Sequence, residues 1–210
     1  MIWLSDKIEF PPYELTSPEG IIAIGGDLSP ERLMYAYKRG IFPWYSDQYP
    51  ILWHCPEERM VLFPDKLKVS KSMKQVLRKG EFTVTENQAF EEVIHHCKYI
   101  KRKQEDEEEG TWITDDMERA YKRLYRLGHA KSLEVWKNKE LVGGLYGVIL
   151  GDVFCGESMF SKVSNASKVA FIHLVQSGIY KLIDCQVYNN HLASLGAVEI
   201  EREEFLELIS

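Results

Sequence analysis

The sequence has few cysteines, no long apolar run and no excess of positive charge. Its four cysteines are far apart and form no CxxC or Cys/His cluster with metal-ligand spacing, so buried free thiols are expected. No apolar run approaches the roughly 20 residues of a membrane-spanning helix, and residues 1–10 lack the pattern of a signal peptide. These absences predict a protein that works in the reducing cytoplasm.

Several short catalytic motifs are also missing. The sequence contains no GxSxG elbow, no GxxxxGK(S/T) phosphate loop and no HExxH zinc motif. The glycines of GGDL and GGLYG lack the rest of a dinucleotide fingerprint, so they indicate a turn and a close approach of strands. The net charge of −6 excludes a polycation that coats nucleic acid indiscriminately. Any contact with nucleic acid must therefore be a local patch.

The distribution of turn-forming residues predicts two domains. Apolar residues make up 45% of the chain, which is enough to fill a core. The first part is rich in proline and glycine and contains one short predicted helix, with Ser29 as its N-cap, Pro30 as its first residue and Gly40 after its end. A proline-rich junction follows. We expect a small N-terminal domain at residues 1–58 and a second domain at 59–210.

Hydrophobic periodicity predicts an α/β (α+β) fold for the second domain, built on one mixed sheet. A basic helix after residue 66, a helix capped by Thr85 and Gln88, and a helix from Asp115 to Leu127 come first. The later predicted elements are strands SLEVW, LVGGLYGVIL and VFCGESMF, a helix at about 164–177, strand YKLIDCQV, a short helix at 189–195 and strand VEI. Residues 101–109 contain no apolar side chain and predict a solvated loop.

Two carboxylates on predicted buried strands are the strongest candidates for chemistry. Period-two alternation places two sets of side chains on shared strand faces, namely Cys155, Glu157 and Met159 on one strand and Leu182, Asp184 and Gln186 on another. A carboxylate among apolar neighbours is costly unless it is hydrogen-bonded. Glu157 and Asp184 therefore either have structural partners or form a polar pair at the mouth of an apolar pocket. The spacing leaves both alternatives open.

Basic residues are concentrated on two predicted helices. Six lie between Lys66 and Lys79 with no acidic residue among them. A second set at helical spacing consists of Arg119, Lys122, Arg123 and Arg126. Each set is either a solvated face or a stripe that contacts phosphates, and two such stripes on an acidic protein favour a shaped polyanion as partner. The tryptophans in Gly/Pro-rich segments, which either belong to the core or stack on an unpaired base, are Trp44, Trp53 and Trp112.

Six segments stand out when the sequence is taken as a whole. They are GIIAIGGDLSPERLMYAYKRGIFPWY, PILWHCPEERMVLFP, EEGTWIT, ELVGGLYGV, FCGESMFSKVSNASKVA and LIDCQVYNNHLASLGA. Together, and in this order, they resemble the signature blocks of the leucyl/phenylalanyl-tRNA–protein transferases. The resemblance implies a small N-terminal domain packed on a C-terminal domain similar to the acetyltransferase (GNAT-like) superfamily fold, with no metal and no nucleotide cofactor.

The resemblance also implies an activity and roles for individual residues. Members of this family move leucine or phenylalanine, and less readily methionine, from charged tRNA to proteins that begin with arginine or lysine, which marks the products for the N-degron pathway. Glu157, Asp184 and Gln186 match the family's reaction centre. The residues that match the family's amino-acid pocket are Leu145, Phe154 and Met159. Those that match the aromatics holding the terminal adenosine are Trp44 and Trp112. Those that match the contacts to the tRNA stem are Lys71, Lys74, Arg78 and Lys79.

A mechanism follows from the chemistry of an ester donor and an amine acceptor. In this interpretation Asp184 binds the attacking ammonium group and accepts its proton, directly or through Gln186, while Glu157 orients Gln186. Two other functions remain as alternatives. An acyl-CoA-dependent acetyltransferase would share the fold, although no Arg or Gln here has the glycine three positions on that its pyrophosphate turn needs. A non-catalytic tRNA-binding module would need only the cationic stripes.

Overall fold

A computed structural model describes residues 2–99 and 113–210, and its strands form two sheets. The strands of the first sheet are β1 (Trp3–Leu4), β2 (Ile21–Gly25), β3 (Phe42–Pro43) and β4 (Leu52–His54). Their spatial order is β1-β2-β4-β3. This sheet therefore uses only strands from the N-terminal part of the chain.

The second sheet has seven strands. They are β5 (Glu58–Leu62), β6 (Thr83–Glu86), β7 (Ala130–Lys137), β8 (Glu140–Leu150), β9 (Val153–Ser161), β10 (Leu182–Gln186) and β11 (Val198–Glu201). Their spatial order is β11-β5-β10-β9-β8-β7-β6. The central pair β9/β10 is parallel and the other pairs are antiparallel. The prediction of an α/β fold on a mixed sheet is confirmed.

Helices cover both faces of the seven-stranded sheet. They are α1 (Pro30–Tyr37), α2 (Lys71–Lys79), α3 (Phe90–Tyr99), α4 (Asp115–Arg126), α5 (Ala166–Gln176), α6 (Asn190–Ser194) and α7 (Arg202–Ile209). Side chains of α1, α3, α4 and α7 share one buried cluster with the sheet, and we call this side the α4 face. Side chains of α2, α5 and α6 pack on the other side, the α5 face. The α4 face also packs against the N-terminal sheet, so one core joins the two parts of the chain.

Local signals predicted some element boundaries well. Helix α1 begins at Pro30, as expected, and the Ser29 hydroxyl accepts the Arg32 N–H. Gly40 follows the helix with a φ of +66°, a left-handed conformation that glycine adopts without steric cost. Helix α4 is likewise where the periodicity places it. The expected boundary between residues 58 and 59 falls at the start of β5 and stays a prediction.

Other local predictions were wrong. The proposed cap residue Thr85 lies in β6, where its hydroxyl donates to the buried carboxylate of Glu134. The Gln88 N–H donates to the same carboxylate, so a long-range contact replaces the expected capping box. Helix α2 begins at Lys71, behind a cap by Ser70. Elements β5, β6 and α7 were not predicted, and the proposed loop at 101–109 lies outside the described residues.

An extra residue in β9 changes which side chains share a face. Tyr146 pairs with Ser158 and Gly147 pairs with Gly156, so Glu157 has no partner opposite it on β8. Such a bulge reverses the alternation beyond it. Met159 consequently packs on the α5 face. The prediction that Met159 shares a face with Glu157 was therefore wrong.

The close approach of β8 to β9 depends on a glycine. A Cβ added to Gly147 would collide with the Cys155 carbonyl oxygen and the Phe154 ring, whereas one added to Gly156 would meet only the Asp184 carbonyl oxygen at 3.4 Å. We expect Gly147→Ala to lower the free energy of unfolding by about 3 kcal/mol, because backbone cannot yield as a flexible side chain does. Gly156→Ala should cost less than about 1 kcal/mol. Equal losses in urea unfolding would contradict this packing.

Candidate active site

Asp184 is fully buried near the end of β10 and is paired with an arginine. Arg59 Nε donates to Asp184 Oδ1 at 2.8 Å and Arg59 Nη2 donates to Oδ2 at 2.7 Å. The Gln186 N–H also donates to Oδ1, at 2.9 Å. Arg59 is only 2% exposed, and the Asp184 charge helps to raise its pKa against the opposing effect of burial. Both carboxylate oxygens of Asp184 are thus engaged within the protein.

Gln186 follows Asp184 in a strained conformation. Cys185 is an extra residue between the pairs that Asp184 and Gln186 form with β5, and the φ of Gln186 is +64°. A residue with a Cβ carries a cost of roughly 1–3 kcal/mol in such a region, so surrounding contacts must hold it there. The hydrogen bond from its N–H to Asp184 is one such contact. The other joins its side chain to Glu157.

Glu157 accepts hydrogen bonds from three side chains. Gln186 Nε2 donates to Oε1 at 2.9 Å, and the hydroxyls of Tyr37 and Tyr121 donate to Oε1 at 2.6 Å and to Oε2 at 2.8 Å. The two tyrosine hydroxyls are themselves 2.6 Å apart. Tyr37 belongs to α1 and Tyr121 to α4, so the N-terminal part of the chain contributes one of the two hydroxyls that contact Glu157.

The hydrogen count in this cluster favours a protonated Glu157. Three short oxygen–oxygen contacts link Tyr37, Tyr121 and Glu157, and each contact needs one hydrogen. The two hydroxyls supply two, and both can donate to an ionised Glu157 only if the contact between them lacks a hydrogen. A neutral carboxyl group supplies the third by donating to one tyrosine hydroxyl, which then donates to the other tyrosine instead of to Glu157. Burial, together with the Asp184 charge, raises the pKa of Glu157 to about 7, against the opposing hydrogen bonds of the tyrosines. Glu157 can therefore gain or lose a proton near neutral pH.

Trp44 presents a partly exposed ring at the end of β3. Its side chain is 39% exposed, and its carbonyl oxygen accepts a hydrogen bond from His54 Nε2 at 3.0 Å. The two rings are 5.4 Å apart. Burial lowers the pKa of His54 to about 4, so His54 is neutral at neutral pH and supports Trp44 without adding charge. Trp53 is fully buried in the core, and Trp112 lies outside the described residues.

The three predicted pocket residues lie on the α5 face, opposite Glu157 and Asp184. Leu145 pairs with Met159 across β8 and β9, and both pack with Phe154 in the same apolar cluster. Pairing between β9 and β10 stops at Cys155 and Asp184. Beyond that point the described contact between the two strands is the side-chain bond from Gln186 to Glu157. The structure thus brings the three polar residues together and separates them from the apolar ones by the sheet.

The two predicted basic stripes differ in their surroundings. The α2 residues are exposed and form no salt bridge with a carboxylate of the described ranges; they are Lys71, Lys74, Arg78 and Lys79. On α4, by contrast, Arg119 pairs with Asp116 and Arg126 pairs with Glu91. Lys122 is paired as well, with Glu91 and Glu118. Three of the four basic side chains on α4 are thus paired with carboxylates, so α2 is the better candidate for contact with phosphates, which stays a prediction.

The described residues offer neither a metal site nor a membrane-spanning helix. Within residues 2–99 and 113–210, no group of three or more His, Cys, Asp or Glu side chains is placed to hold a metal ion. None of the helices in these ranges has the length and apolarity needed to cross a bilayer. The four cysteines are free thiols, as expected, with Cys185 partly exposed and the other three buried.

Sequence reasoning missed four residues of this site. Arg59 lies on the unpredicted strand β5, and no motif in the sequence singles out His54. Tyr37 and Tyr121 lie on the buried faces of α1 and α4, where helical periodicity accounts for their rings but not for their hydroxyls. A buried tyrosine hydroxyl needs a partner, and that requirement was the available signal.

Two family models match the chain. The model described as leucyl/phenylalanyl-tRNA protein transferase covers residues 61–210, and that of its N-terminal domain covers residues 26–57. Relatives of the same description match over essentially their full length. The protein from Flavobacterium johnsoniae is 56% identical over 100% of this chain and 99% of its own. That from Christiangramia forsetii is 52% identical over 100% of both chains.

Solved structures resemble the chain only distantly. A GCN5-related N-acetyltransferase from Kribbella flavida matches 80% of this chain and 60% of its own with a TM-score of 0.41 and 9% identity. A conserved protein of unknown function from Bacteroides thetaiotaomicron matches 67% of this chain and 55% of its own with a TM-score of 0.48 and 12% identity. Neither likeness is close enough to bear on function.

The raised pKa of Glu157 predicts how stability depends on pH. Between about pH 4.5 and 7 the folded chain holds the Glu157 proton more tightly than the unfolded chain does. The free energy of unfolding therefore falls as pH rises through this window, by about 3 kcal/mol from this group. Glu157→Gln cannot titrate and should lose this contribution. Urea unfolding at pH 5 and pH 8 measures the change in each protein.

Comparing the two proteins cancels contributions that they share. His54 acts in the opposite direction, since its lowered pKa makes stability rise with pH through about 4 to 6.5, and it is present in both. The stability of Glu157→Gln relative to the parent should thus increase from pH 5 to pH 8. The same pH dependence in parent and variant would show that Glu157 does not titrate in this range.

Proposed function

As a member of the leucyl/phenylalanyl-tRNA protein transferase family, the chain transfers an aminoacyl group from tRNA to protein, and we propose that it moves leucine or phenylalanine, and less readily methionine, to an N-terminal arginine or lysine. The products would enter the N-degron pathway, and the place of action would be the cytoplasm, where charged tRNA is used. The observation that carries the proposal is the buried cluster of Asp184, Gln186 and Glu157 beside the end of the β9/β10 pairing.

The proposed chemistry needs a positioned amine and a place for its proton. Gln186 Nε2 donates to Glu157, so the Gln186 carboxamide oxygen is directed elsewhere and is the candidate acceptor for the attacking ammonium group. The amine loses one proton, which the ionised form of Glu157 can take up, because its pKa of about 7 leaves that form populated at neutral pH. A nitrogen–carbon bond forms, the ester carbon–oxygen bond breaks, and the second amine proton leaves with the ribose oxygen.

The structure favours a different role for Asp184 from direct proton acceptance. Its side chain is fully buried and its two oxygens already accept hydrogen bonds from Arg59 and Gln186. We therefore assign Asp184 to positioning: it holds the backbone of Gln186 while Glu157 holds its side chain. Gln186 and Glu157 are then the residues that act on the acceptor.

The charges near the centre suit a basic acceptor. Leu145, Phe154 and Met159 pack on the α5 face, with Leu145 and Phe154 buried, so their role as the amino-acid pocket rests on the family resemblance alone and stays a prediction. A cleft of about 520 Å³ begins directly after Gln186, where Val187 and Tyr188 contribute to its lining. Five carboxylates line the same cleft, namely Glu19, Glu57, Glu58, Glu199 and Glu201. The negative charge of these glutamates favours acceptors that carry a positively charged side chain.

One experiment separates this proposal from the alternatives. Purified protein is mixed with labelled Phe-tRNA and peptides that differ only in an N-terminal Arg, Lys, Ala or Glu. Transfer to the Arg and Lys peptides supports the proposal. Transfer to all four peptides would contradict the acceptor preference, transfer from acetyl-CoA alone would indicate an acetyltransferase, and binding of tRNA without transfer would indicate a binding module.

Helix α2 predicts a salt-sensitive contribution to donor binding. Replacing Lys71, Lys74, Arg78 and Lys79 together by Ala should raise KM for charged tRNA and flatten its dependence on salt, because these exposed side chains form no salt bridge within the described ranges. A short aminoacyl-adenosine donor does not reach the helix and should be used as before. Arg119→Ala/Arg126→Ala is the matched control, since both side chains are already paired. Equal loss with the short donor would indicate a role in folding.

Trp44 predicts a contribution that both donors share. Trp44→Ala should weaken binding of charged tRNA and of the short donor by about 1–3 kcal/mol, the usual value of a base stack. Trp53→Phe, a change in the buried core, is the comparison and should alter stability without altering donor affinity. Donor affinity that is unchanged in folded Trp44→Ala would remove the stacking role.

A further inference from the structure

Arg59 links the reaction centre to two distant parts of the chain. We infer that Arg59 is a positioning residue of the transferase: through Asp184 it holds Gln186 in the conformation that receives the acceptor amine. This inference rests on the proposed function of Gln186. Arg59 itself is buried on β5, so it acts through its neighbours and does not meet the substrate.

The guanidinium group of Arg59 is fixed on every side. Its Nη1 donates to the Gly40 carbonyl oxygen at 3.1 Å, in the N-terminal part of the chain. Its central carbon lies 4.6 Å from the ring centroid of Phe42 and 4.6 Å from that of Phe205 on α7. The two aromatic rings and the carbonyl group thus fix the plane of the guanidinium group. Its other two nitrogens, Nε and Nη2, point at Asp184.

The contacts continue without a break from Arg59 to Gln186. Two parallel hydrogen bonds fix both oxygens of Asp184, and Oδ1 then receives the Gln186 N–H. That last bond is made by Gln186, whose left-handed backbone at the β10 bulge is unfavourable in free energy for a residue with a Cβ. If Arg59 were removed, Asp184 would be a buried charge without its cation and could not keep the same orientation. The Gln186 carboxamide would then be misplaced.

Arginine suits this position better than lysine. A carboxylate that must hold one orientation requires two parallel donors, and a planar guanidinium supplies them while stacking between rings. The ammonium group of lysine supplies charge but neither the fork nor the stacking surface. Arg59→Lys should therefore reduce the single-turnover rate roughly tenfold, with the affinity for charged tRNA within about threefold of the parent, because positioning of the acceptor amine is lost and donor contacts are not.

Stability and activity can be separated by removing both charges. Arg59→Met should lower the single-turnover rate of transfer from pre-bound Phe-tRNA roughly 10- to 100-fold and should also destabilise the protein, since Asp184 is left unpaired. The double variant Arg59→Met/Asp184→Asn no longer buries a lone charge, so its unfolding midpoint in urea should exceed that of Arg59→Met. Its rate should nevertheless remain as low as that of the Asp184→Asn single variant. Stabilisation without recovery of rate is the result expected of a positioning residue.

Arg32 provides a matched control for the loss of a buried arginine. It is also fully buried and donates to the carbonyl oxygens of Ser5 and Lys7 and to Asp27, with no described contact to the reaction centre. Arg32→Met should lower stability while folded protein keeps the parent rate. Recovery of the double variant to within threefold of the parent rate, or a parent-like rate for Arg59→Lys, would overturn the role of Arg59. Absence of transfer by the parent protein would instead overturn the proposed function itself.

Discussion

The burial of two carboxylates on one face of one sheet is the constraint on which the site depends. A buried carboxylate needs either a cation or enough hydrogen bonds, and it otherwise takes up a proton. Asp184 has the first solution, in Arg59, and Glu157 has the second, in two tyrosines and Gln186. The two groups consequently differ: Asp184 is paired with a cation, and Glu157 can change its protonation near neutral pH.

The same constraint connects the N-terminal part of the chain to the candidate site. Tyr37 on α1 donates to Glu157, and the carbonyl of Gly40 and the ring of Phe42 hold Arg59. None of these residues is expected to touch a substrate. Tyr37 contacts Glu157, which holds the Gln186 side chain, whereas Gly40 and Phe42 contact Arg59 directly. Two bulges, at Glu157 and Cys185, complete the arrangement, because they turn polar side chains to the α4 face and leave apolar ones on the α5 face.

The sequence predicted the composition of this site better than its geometry. Alternation correctly grouped Asp184 with Gln186, but it failed for Met159, because a single extra residue reverses the pattern and has no local signature in this strand. Arg59 could not be found, since the five residues of β5 give too short a pattern to identify a strand. The pairing of the α4 cations with Glu91 depends on how α3 packs on α4, which lies beyond helical periodicity. Long-range contacts of this kind decide that two basic side chains of α4 are paired with Glu91 while those of α2 form no salt bridge in the described ranges.

The central claim is that the buried network exists to hold the Gln186 carboxamide for the acceptor amine. Gln186→Met keeps nearly the same shape but can neither donate to Glu157 nor accept a hydrogen bond from an ammonium group. Single-turnover transfer from pre-bound Phe-tRNA to a peptide that begins with arginine measures the consequence directly. The account predicts a rate lower by about 10²–10⁴ with unchanged affinity for charged tRNA. A folded variant that transfers within about threefold of the parent rate would contradict it.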